Sequence, residues 1–313
     1  MNYTLKDLGK QLKNNHLAMR RHFTPRETDC YRVYDRNIGD LPLTVDIYGP
    51  FVHVVDYRKE AGGESIGKEG IIDTVCSMLY VKRDRVIYKF RRTRGEGDQH
   101  KKISETGEMI TVRENALEFT VNLVDYIDTG LFLDHRRTRE MIFESAAGKK
   151  VLNLFAYTGS FSVYAAAGGA AEVDTVDLSS NYLKWAQQNM ELNGFAGGKS
   201  RFIRSDAAAF LKEAGERKKR YGIIVLDPPT FSNSRRMDGT FDIQRDYAGM
   251  INRCTSLLER DGAIFFSTNY KKFHFDPGRL RGVRSRDITP LTIDIDFSRK
   301  RKPHRCWVLE KRS

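Results

Sequence analysis

VLNLFAYTGSFSVYAAAGGAAEVDTVD, residues 151–177, reads as strand, turn, helix and strand. VLNLF (151–155) is a continuous apolar run closed by a turn, the pattern of a strand buried on both faces. SFSVYAAA (160–167) suits a short helix, and AEVDTVD (171–177) is the next strand. Strands joined through a helix can pair in parallel, since a parallel pair needs a crossover. The unit then repeats. SNYLKWAQQNMELNG (180–194) is a helix capped by Ser179 or Ser180 and ended by Gly194, followed by RFIR (201–204), the helix AAAFLKEA (207–214) and the strand YGIIVLD (221–227). In a long helix after that, Tyr247, Met250, Ile251, Cys254, Leu257 and Leu258 recur at helical spacing, and Gly262 is expected to stop it before a fifth strand, AIFFS (263–267). Repeated βα units of this length predict an α/β chain with a mostly parallel, doubly wound sheet.

Such sheets bind ligands at the carboxyl ends of their strands. The turn after the first strand has one glycine, Gly159, where a dinucleotide fingerprint has three. A pyrophosphate needs close backbone approach along several glycines and a helix amino end, so NAD and FAD are poorly served. S-adenosylmethionine carries no phosphate, and one glycine lets its methionine part pass. Asp177 ends the second strand, where such folds place a ribose-binding acid. Asp206, in RSDA, is placed to accept from an adenine amino group, with Ala207 as a backbone donor, and Asp227 ends the fourth strand. Each aspartate alone also reads as a helix cap.

The fourth strand stops hard. Pro228 and Pro229 fix φ and lack an N–H, so neither continues a central ladder. The stiff loop beyond them carries Thr230, Phe231 and Asn233.

Residues 1–125 read as a smaller α+β unit. Leu5, Leu8 and Leu12 mark a helix, LTVDIY and FVHVVDY flank a Gly-Pro turn as a hairpin, a helix spans 66–79, and RVIYKFRR, EMITVR and LEFTVNL are strands. The chain has 313 residues and a formal charge of +12. Between 82 and 102 there are nine Lys or Arg against three acids, with Tyr88 and Phe90 interleaved, and RKRKPHR (299–305) and ERKKR (216–220) are further basic clusters. Charge beside ring faces suits RNA, although a solubilising surface looks similar. Arg91 and Arg92 are the RNA-contact candidates here, and the basic unit is expected to bind RNA. Four scattered cysteines indicate neither zinc site nor disulfide framework, so no metal is expected. A charged start and the lack of a long apolar run predict a cytoplasmic protein.

TGLFLDHRRTR, LNLFAYTGSFSVYAAAGGA, VDLSSNYLKWAQQNMELNG, DPPTFSNSRRM and FDIQRDY together resemble the class I S-adenosylmethionine-dependent rRNA methyltransferases of the large subunit, nearest the RlmK half of the fused RlmKL enzymes. The resemblance runs from about Thr28 to the end. It implies a Rossmann-like class I methyltransferase sheet over 126–313, S-adenosyl-L-methionine as cofactor, and guanine-N7 methylation of 23S rRNA or of a precursor large ribosomal subunit. A separate protein would replace the partner half that this chain lacks. Where relatives have NQY in the basic loop, this chain has Asp98, Gln99 and His100. Asp134, His135, Arg136 and Arg139 look like the element that closes over the methionine carboxylate, with Arg136 the direct partner by charge; alternatively they are an exposed helix start. Asn153, Phe155, Ala156, Tyr157, Thr158, Gly159 and Ser160 would cradle the cofactor, Asp177 and Leu178 its ribose, Asp206 and Ala207 its adenine, and Asp227 would lie beside the methyl donor.

Asp227, Pro228, Pro229 and Phe231 then form the catalytic edge, with Phe231 stacking on a flipped base and Thr230 and Asn269 gripping it. Methylating carbon 5 of a pyrimidine needs a cysteine nucleophile, yet the stretch after the fifth strand offers Thr268 and Asn269. Guanine N7 has an in-plane lone pair and loses no proton on attack, so in-line positioning suffices. Exocyclic N-methylation of RNA, DNA or protein, and a non-catalytic RNA-binding assembly factor with a vestigial pocket, are the alternatives.

Overall fold

A computed structural model describes residues 4–39, 41–58, 66–91, 106–195, 197, 199–232, 240–297 and 301–312. Arg92, Asp98, Gln99, His100 and Asn233 lie outside the described residues. The chain forms two compact units, Met1–Leu133 with Ile295–Ser298, and Asp134–Asp294 with Arg299–Ser313.

In the first unit, α1 (Leu5–His22) starts with a reciprocal cap: the Thr4 hydroxyl accepts from the Asp7 N–H while the Asp7 carboxylate accepts from the Thr4 N–H. Its Leu8 and Leu12 are fully buried. β1 (Cys30–Asp35), β2 (Leu43–Tyr48) and β3 (Phe51–Asp56) form an antiparallel meander, with Gly49 at φ +56 in the turn before Pro50. α2 (Lys68–Leu79) crosses over to β4 (Val86–Phe90), which pairs in parallel with β3. β5 (Ile110–Glu114) and β6 (Leu117–Val121) are a hairpin turning through Asn115 and Ala116, both at positive φ.

The division falls after Leu133 rather than after residue 125. The segment 122–131 is tied back to the first unit: Asp125 accepts from Thr106 and Gly107, and the Tyr48 hydroxyl lies 2.9 Å from that of Thr129.

The second unit holds α3 (Arg136–Ser145), β7 (Lys150–Leu154), α4 (Ser160–Ala167), β8 (Glu172–Asp177), α5 (Ser180–Leu192), β9 (Ser200–Arg204), α6 (Ala207–Glu216) and β10 (Tyr221–Leu226). A two-stranded ribbon of β11 (Phe231–Ser232) and β12 (Phe241–Asp242) leads into α7 (Ile243–Ser256), β13 (Leu258–Thr268), β14 (Val283–Asp287), α8 (Thr289–Thr292) and β15 (Arg305–Lys311). The sheet order is β14-β15-β13-β10-β7-β8-β9. The five strands from β13 to β9 are parallel, and β15 and β14 add an antiparallel edge.

Alternation along β10 builds both layers. Ile224 and Leu226 point into a core with Phe210 and Leu211 of α6 and Tyr247 and Ile251 of α7. Ile223 and Val225 face Ile142 of α3 and Phe161 and Ala165 of α4. The strand order reverses between β7 and β10, so their carboxyl ends flank the crevice where this architecture binds ligands.

The long helix is shorter than its stripe predicts. α7 ends at Ser256, Leu257 is its cap residue, and Leu258 opens β13 opposite Tyr221. Leu258 is fully buried in either role, which is why periodicity carries it into the helix. Gly262 sits inside β13, where the ladder jumps from Tyr221↔Leu258 to Ile223↔Ala263. A Cβ there would lie 3.1 Å from the Tyr221 carbonyl oxygen.

Candidate active site

The turn leaving β7 is strained. Phe155 and Tyr157 have φ of 55 and 50, and Gly159 follows at 74. Non-glycine residues at positive φ cost about 1–3 kcal/mol each and gather at functional sites. The turn is held from two sides. The Tyr157 N–H donates to Asp177 Oδ2 at 2.9 Å, and the Asn189 amide of α5 donates to the Thr158 carbonyl at 2.9 Å. Gly159 itself packs on α5, since a Cβ there would stand 2.6 Å from the Ala186 Cβ.

Asp177 also accepts from the Ser179 N–H at 2.8 Å. Burial raises its carboxyl pKa, and these N–H groups lower it only in part. A half-buried carboxylate of this kind is suited to a neutral donor such as a ribose diol. Asp206 caps α6, its Oδ1 accepting from the Ala208 and Ala209 N–H groups, as the simpler reading expects; Ala207 is the first residue of that helix.

β10 ends at Leu226, one residue before the expected Asp227, and Pro228 and Pro229 follow outside the ladder. Asp227 Oδ1 accepts from the Ser267 hydroxyl at 2.6 Å, and Oδ2 lies 3.6 Å from His135 Nε2. The Thr230 hydroxyl donates to Asn269 Oδ1 at 2.9 Å, which brings those two positions together. Phe231 is half-buried and makes no ring contact among the described residues. Arg91 lies in the first unit, where its N–H donates to the Asp56 carbonyl.

Two expected cofactor contacts need correction. Arg136 is fully buried, and its Nη1 donates to Asp294 Oδ2 at 3.0 Å. Its charge is neutralised within the fold rather than offered to an open cleft. The Asn153 amide donates to Ser162 Oγ at 2.9 Å inside the layer between β7 and α4, so this side chain is not at the sheet edge. The helix start is not exposed either. His135 is buried, and the buried Arg139 guanidinium lies over the rings of Phe161 and Tyr164.

His135 stacks on His304 with centroids 4.1 Å apart and planes at 14°. Burial first, and His304 second, push its pKa down to about 4, so it is neutral near pH 7. His304 in turn lies 3.0 Å from Asp134 Oδ2 and 2.9 Å from Thr292 Oγ1. Asp134, His135 and His304 bring ligand-type atoms within 4.8 Å of one another. The two rings lie in nearly parallel planes, so their in-plane lone pairs do not meet at a common point between the stacked faces.

Both thiols of this unit are unsuited to nucleophilic work. Cys254 and Cys306 are fully buried, and burial pushes the Cys254 pKa up to about 12 and that of Cys306 higher still. A groove of about 780 Å³ lies at the opposite, amino end of the strands, lined by Lys149, Ile223, Ala263 and Lys311, so size alone does not locate the site.

Ser267, Asn189 and the pairing of His135 with Asp227 escape sequence reasoning. A polar residue inside the apolar stripe of α5 is the one local signal, and it belongs to Asn189, which is fully buried.

Comparison with known proteins bears on the family and the fold. Residues 74–280, more than half of the chain, match the family model for S-adenosylmethionine-dependent methyltransferases. A ribosomal RNA large subunit methyltransferase K/L from Methylococcus capsulatus is 41% identical over 96% of this chain, and one from Alteromonas mediterranea is 40% identical over 97%. The chain spans 41% and 44% of those two proteins. In fold it is similar to SMU.776, a methyltransferase complexed with SAH, with a TM-score of 0.78 at 23% identity, covering 99% of this chain and 82% of that one. A SAM-dependent methyltransferase from Streptococcus mutans gives 0.77 at 22% identity, with the same coverage. The turn after β7 holds one glycine and the carboxylate that ends β8 is half-buried beside it, and the family model and the relatives lead to one conclusion: the chain belongs to the S-adenosylmethionine-dependent methyltransferase family.

Proposed function

We propose that this chain transfers the methyl group of S-adenosylmethionine to N7 of a guanine in large-subunit rRNA. What carries the reading is about 40% identity, over nearly the whole chain, to relatives named as large-subunit rRNA methyltransferases. The bound cofactor supplies an electrophilic methyl carbon on a sulfonium sulfur. Asp177 accepts from its ribose hydroxyls, and the backbone from Phe155 to Ser160, with Leu178, encloses its methionine and sugar. Both caps on α6 use Asp206 Oδ1, which leaves Oδ2 for the adenine amino group beside the Ala207 N–H.

Phe231 stacks on the extruded base, Thr230 and Asn269 hold its edge, and Pro228 and Pro229 keep the loop stiff. The N7 lone pair forms the new carbon–nitrogen bond as the carbon–sulfur bond breaks. The purine takes up the positive charge that sulfur loses, no proton leaves, and the Asp227 carboxylate faces that charge. Neither a thiolate nor a general base is required, in keeping with buried thiols and a neutral His135. The RNA is held by the basic first unit, through Arg91 and Arg92, and a separate protein replaces the half of the K/L relatives that this chain does not span.

A second reading, methylation of an exocyclic amine, is favoured by one observation: Asp227, oriented by Ser267, is an acceptor for an amino hydrogen. Reaction with methyl-labelled cofactor and large-subunit rRNA, free and in precursor particles, followed by mass mapping, separates the two. Label on guanine N7 is expected. Label on N2, on N6 of adenine or on carbon 5 overturns the assignment, and cofactor binding without transfer to any acceptor favours a non-catalytic factor.

A further inference from the structure

Along α1, Leu12, His16 and Arg20 recur at four-residue intervals, so they lie one above another on one face. Leu12 is fully buried, His16 half-buried and Arg20 exposed, and the packed stripe therefore opens toward the end of the helix. A cavity of about 280 Å³ begins there, close to the lower end of the range for small-molecule sites, about 300–1,000 Å³. Its floor is Tyr31, Ile47 and Val52, neighbours across β1, β2 and β3, and Tyr80, just after α2, stands on its wall. All of these residues belong to the first unit.

Tyr80 is unfavourable where it stands. It ends α2 in the left-handed region, at φ 55 and ψ 42, where helices favour glycine or asparagine. The residue is 86% exposed, so burial does not offset that strain. Across the cavity, burial and then Arg20 lower the pKa of His16, which leaves its ring neutral near pH 7. His16 Nδ1 is buried without a partner among the described residues, so the half of the ring open to the cavity is the Nε2 side. Arg20, Lys82 and Arg85 are exposed and have no ion-pair partner among the described residues. The Arg85 guanidinium lies 5.6 Å from the centre of the Phe51 ring, which also lines the cavity. Asp29, the one acid of the wall, accepts from the Arg113 N–H with Oδ1 at 2.7 Å.

We infer that this cavity holds one unstacked nucleobase of single-stranded RNA, with the Tyr80 ring against its face. The inference rests on the RNA reading above. An apolar floor, ring-bearing walls and cations outside them suit a base whose phosphates stay at the rim, beside Arg20, Lys82 and Arg85. Asp29 disfavours a phosphate inside, and its second carboxylate oxygen is an acceptor for an amino or imino hydrogen on a base edge. A lone exposed tyrosine is ordinary on a surface. One held at a strained position, on the wall of a cavity and close to unpaired cations, is explained by a ligand that covers it.

The test uses the full chain and a labelled single-stranded RNA oligonucleotide, intact or with one abasic nucleotide moved along it, with affinity measured across a salt series. Tyr80→Gly removes the ring and the left-handed strain together. It should keep wild-type stability in denaturant unfolding or exceed it, yet bind the intact RNA about 5–150-fold more weakly, the range of base–aromatic stacking. Tyr80→Phe should bind as wild type does. The log–log salt slope should be unchanged in Tyr80→Gly, because stacking carries no charge, and should flatten by about 0.7 in Arg20→Gln. One abasic position should weaken wild type and leave Tyr80→Gly unaffected, and thermal stabilisation by SAH should match wild type throughout. Wild-type RNA affinity in Tyr80→Gly, or an abasic scan that affects both proteins equally, overturns the cavity's role. Methyl transfer to rRNA without the Tyr80 contrast would sink the base site alone, and the Tyr80 contrast without methyl transfer would sink the proposed reaction alone.

Discussion

At Asp177, burial raises the carboxyl pKa against three backbone donors, Ser179, Tyr157 and Leu178, that lower it. A carboxyl whose folded pKa lies above its unfolded value, near 3.8, supports folding fully below that value, and the contribution is lost as pH rises through the folded pKa. Ribose hydroxyls donate to the ionised form. SAH affinity should therefore tighten over the same rise in pH and then level off. Asp177→Ala should weaken SAH by tenfold or more, since hydrogen bonds to a charged group contribute about 1.5–3 kcal/mol, and should remove that pH dependence in calorimetric titration. Phe231→Ala should leave SAH affinity intact and lower turnover, base stacking being worth about 1–3 kcal/mol. Equal losses of SAH affinity in both variants would contradict this division. His135 behaves oppositely. Its pKa falls from 6.5 to about 4, through burial and His304, with Asp227 and Asp134 pulling the other way. Its contribution to stability is thus present above pH 6.5 and lost as pH falls through 4. His135→Gln should flatten the acid limb of a denaturant-stability profile between those values, and an unchanged profile would place the acid sensitivity in other groups.

Elements explain why a single glycine stands in the β7–α4 turn. Alanine at 159 would meet two costs, a left-handed backbone at φ +74 and a Cβ 2.6 Å from that of Ala186 in α5. Gly159→Ala should lower stability by about 2–4 kcal/mol, measured by denaturant unfolding. Adding Ala186→Gly should recover the clash but not the backbone strain. A double-mutant cycle with no favourable coupling would show that α5 does not reserve that glycine. The βα repeats and the aspartates closing β8 and β10 are legible in the sequence because apolar runs, caps and prolines are local signals. The antiparallel β14 and β15, the boundary at Leu258 and the positive φ of Phe155 and Tyr157 are not, because each is decided by partners distant in sequence or by backbone strain. The LDHRRTR motif shows the same limit. Its charges read as ligand contacts, yet Arg136 finds Asp294 and His135 finds His304, both more than 150 positions away.

Connectivity matters for the molecule as a whole, because the first unit is completed by Ile295–Ser298, a segment that interrupts the second. Asp296 Oδ2 accepts from the Arg32 N–H at 3.1 Å, and the Arg32 guanidinium lies 4.8 Å from the centre of the Phe297 ring. Arg32 is also paired with Asp46 and Asp35 across β1 and β2. Asp296 and Phe297 therefore help secure the amino-terminal meander. Asp296→Ala removes an acceptor from a mostly buried N–H, a loss of about 1–3 kcal/mol. Hydrogen exchange should then quicken in β1 and β2, while β7, β8 and β10, whose cores are separate, keep their protection. Uniform loss of protection in both units would mean that they unfold as one, and unchanged exchange in β1 would mean that the meander holds without its distant segment.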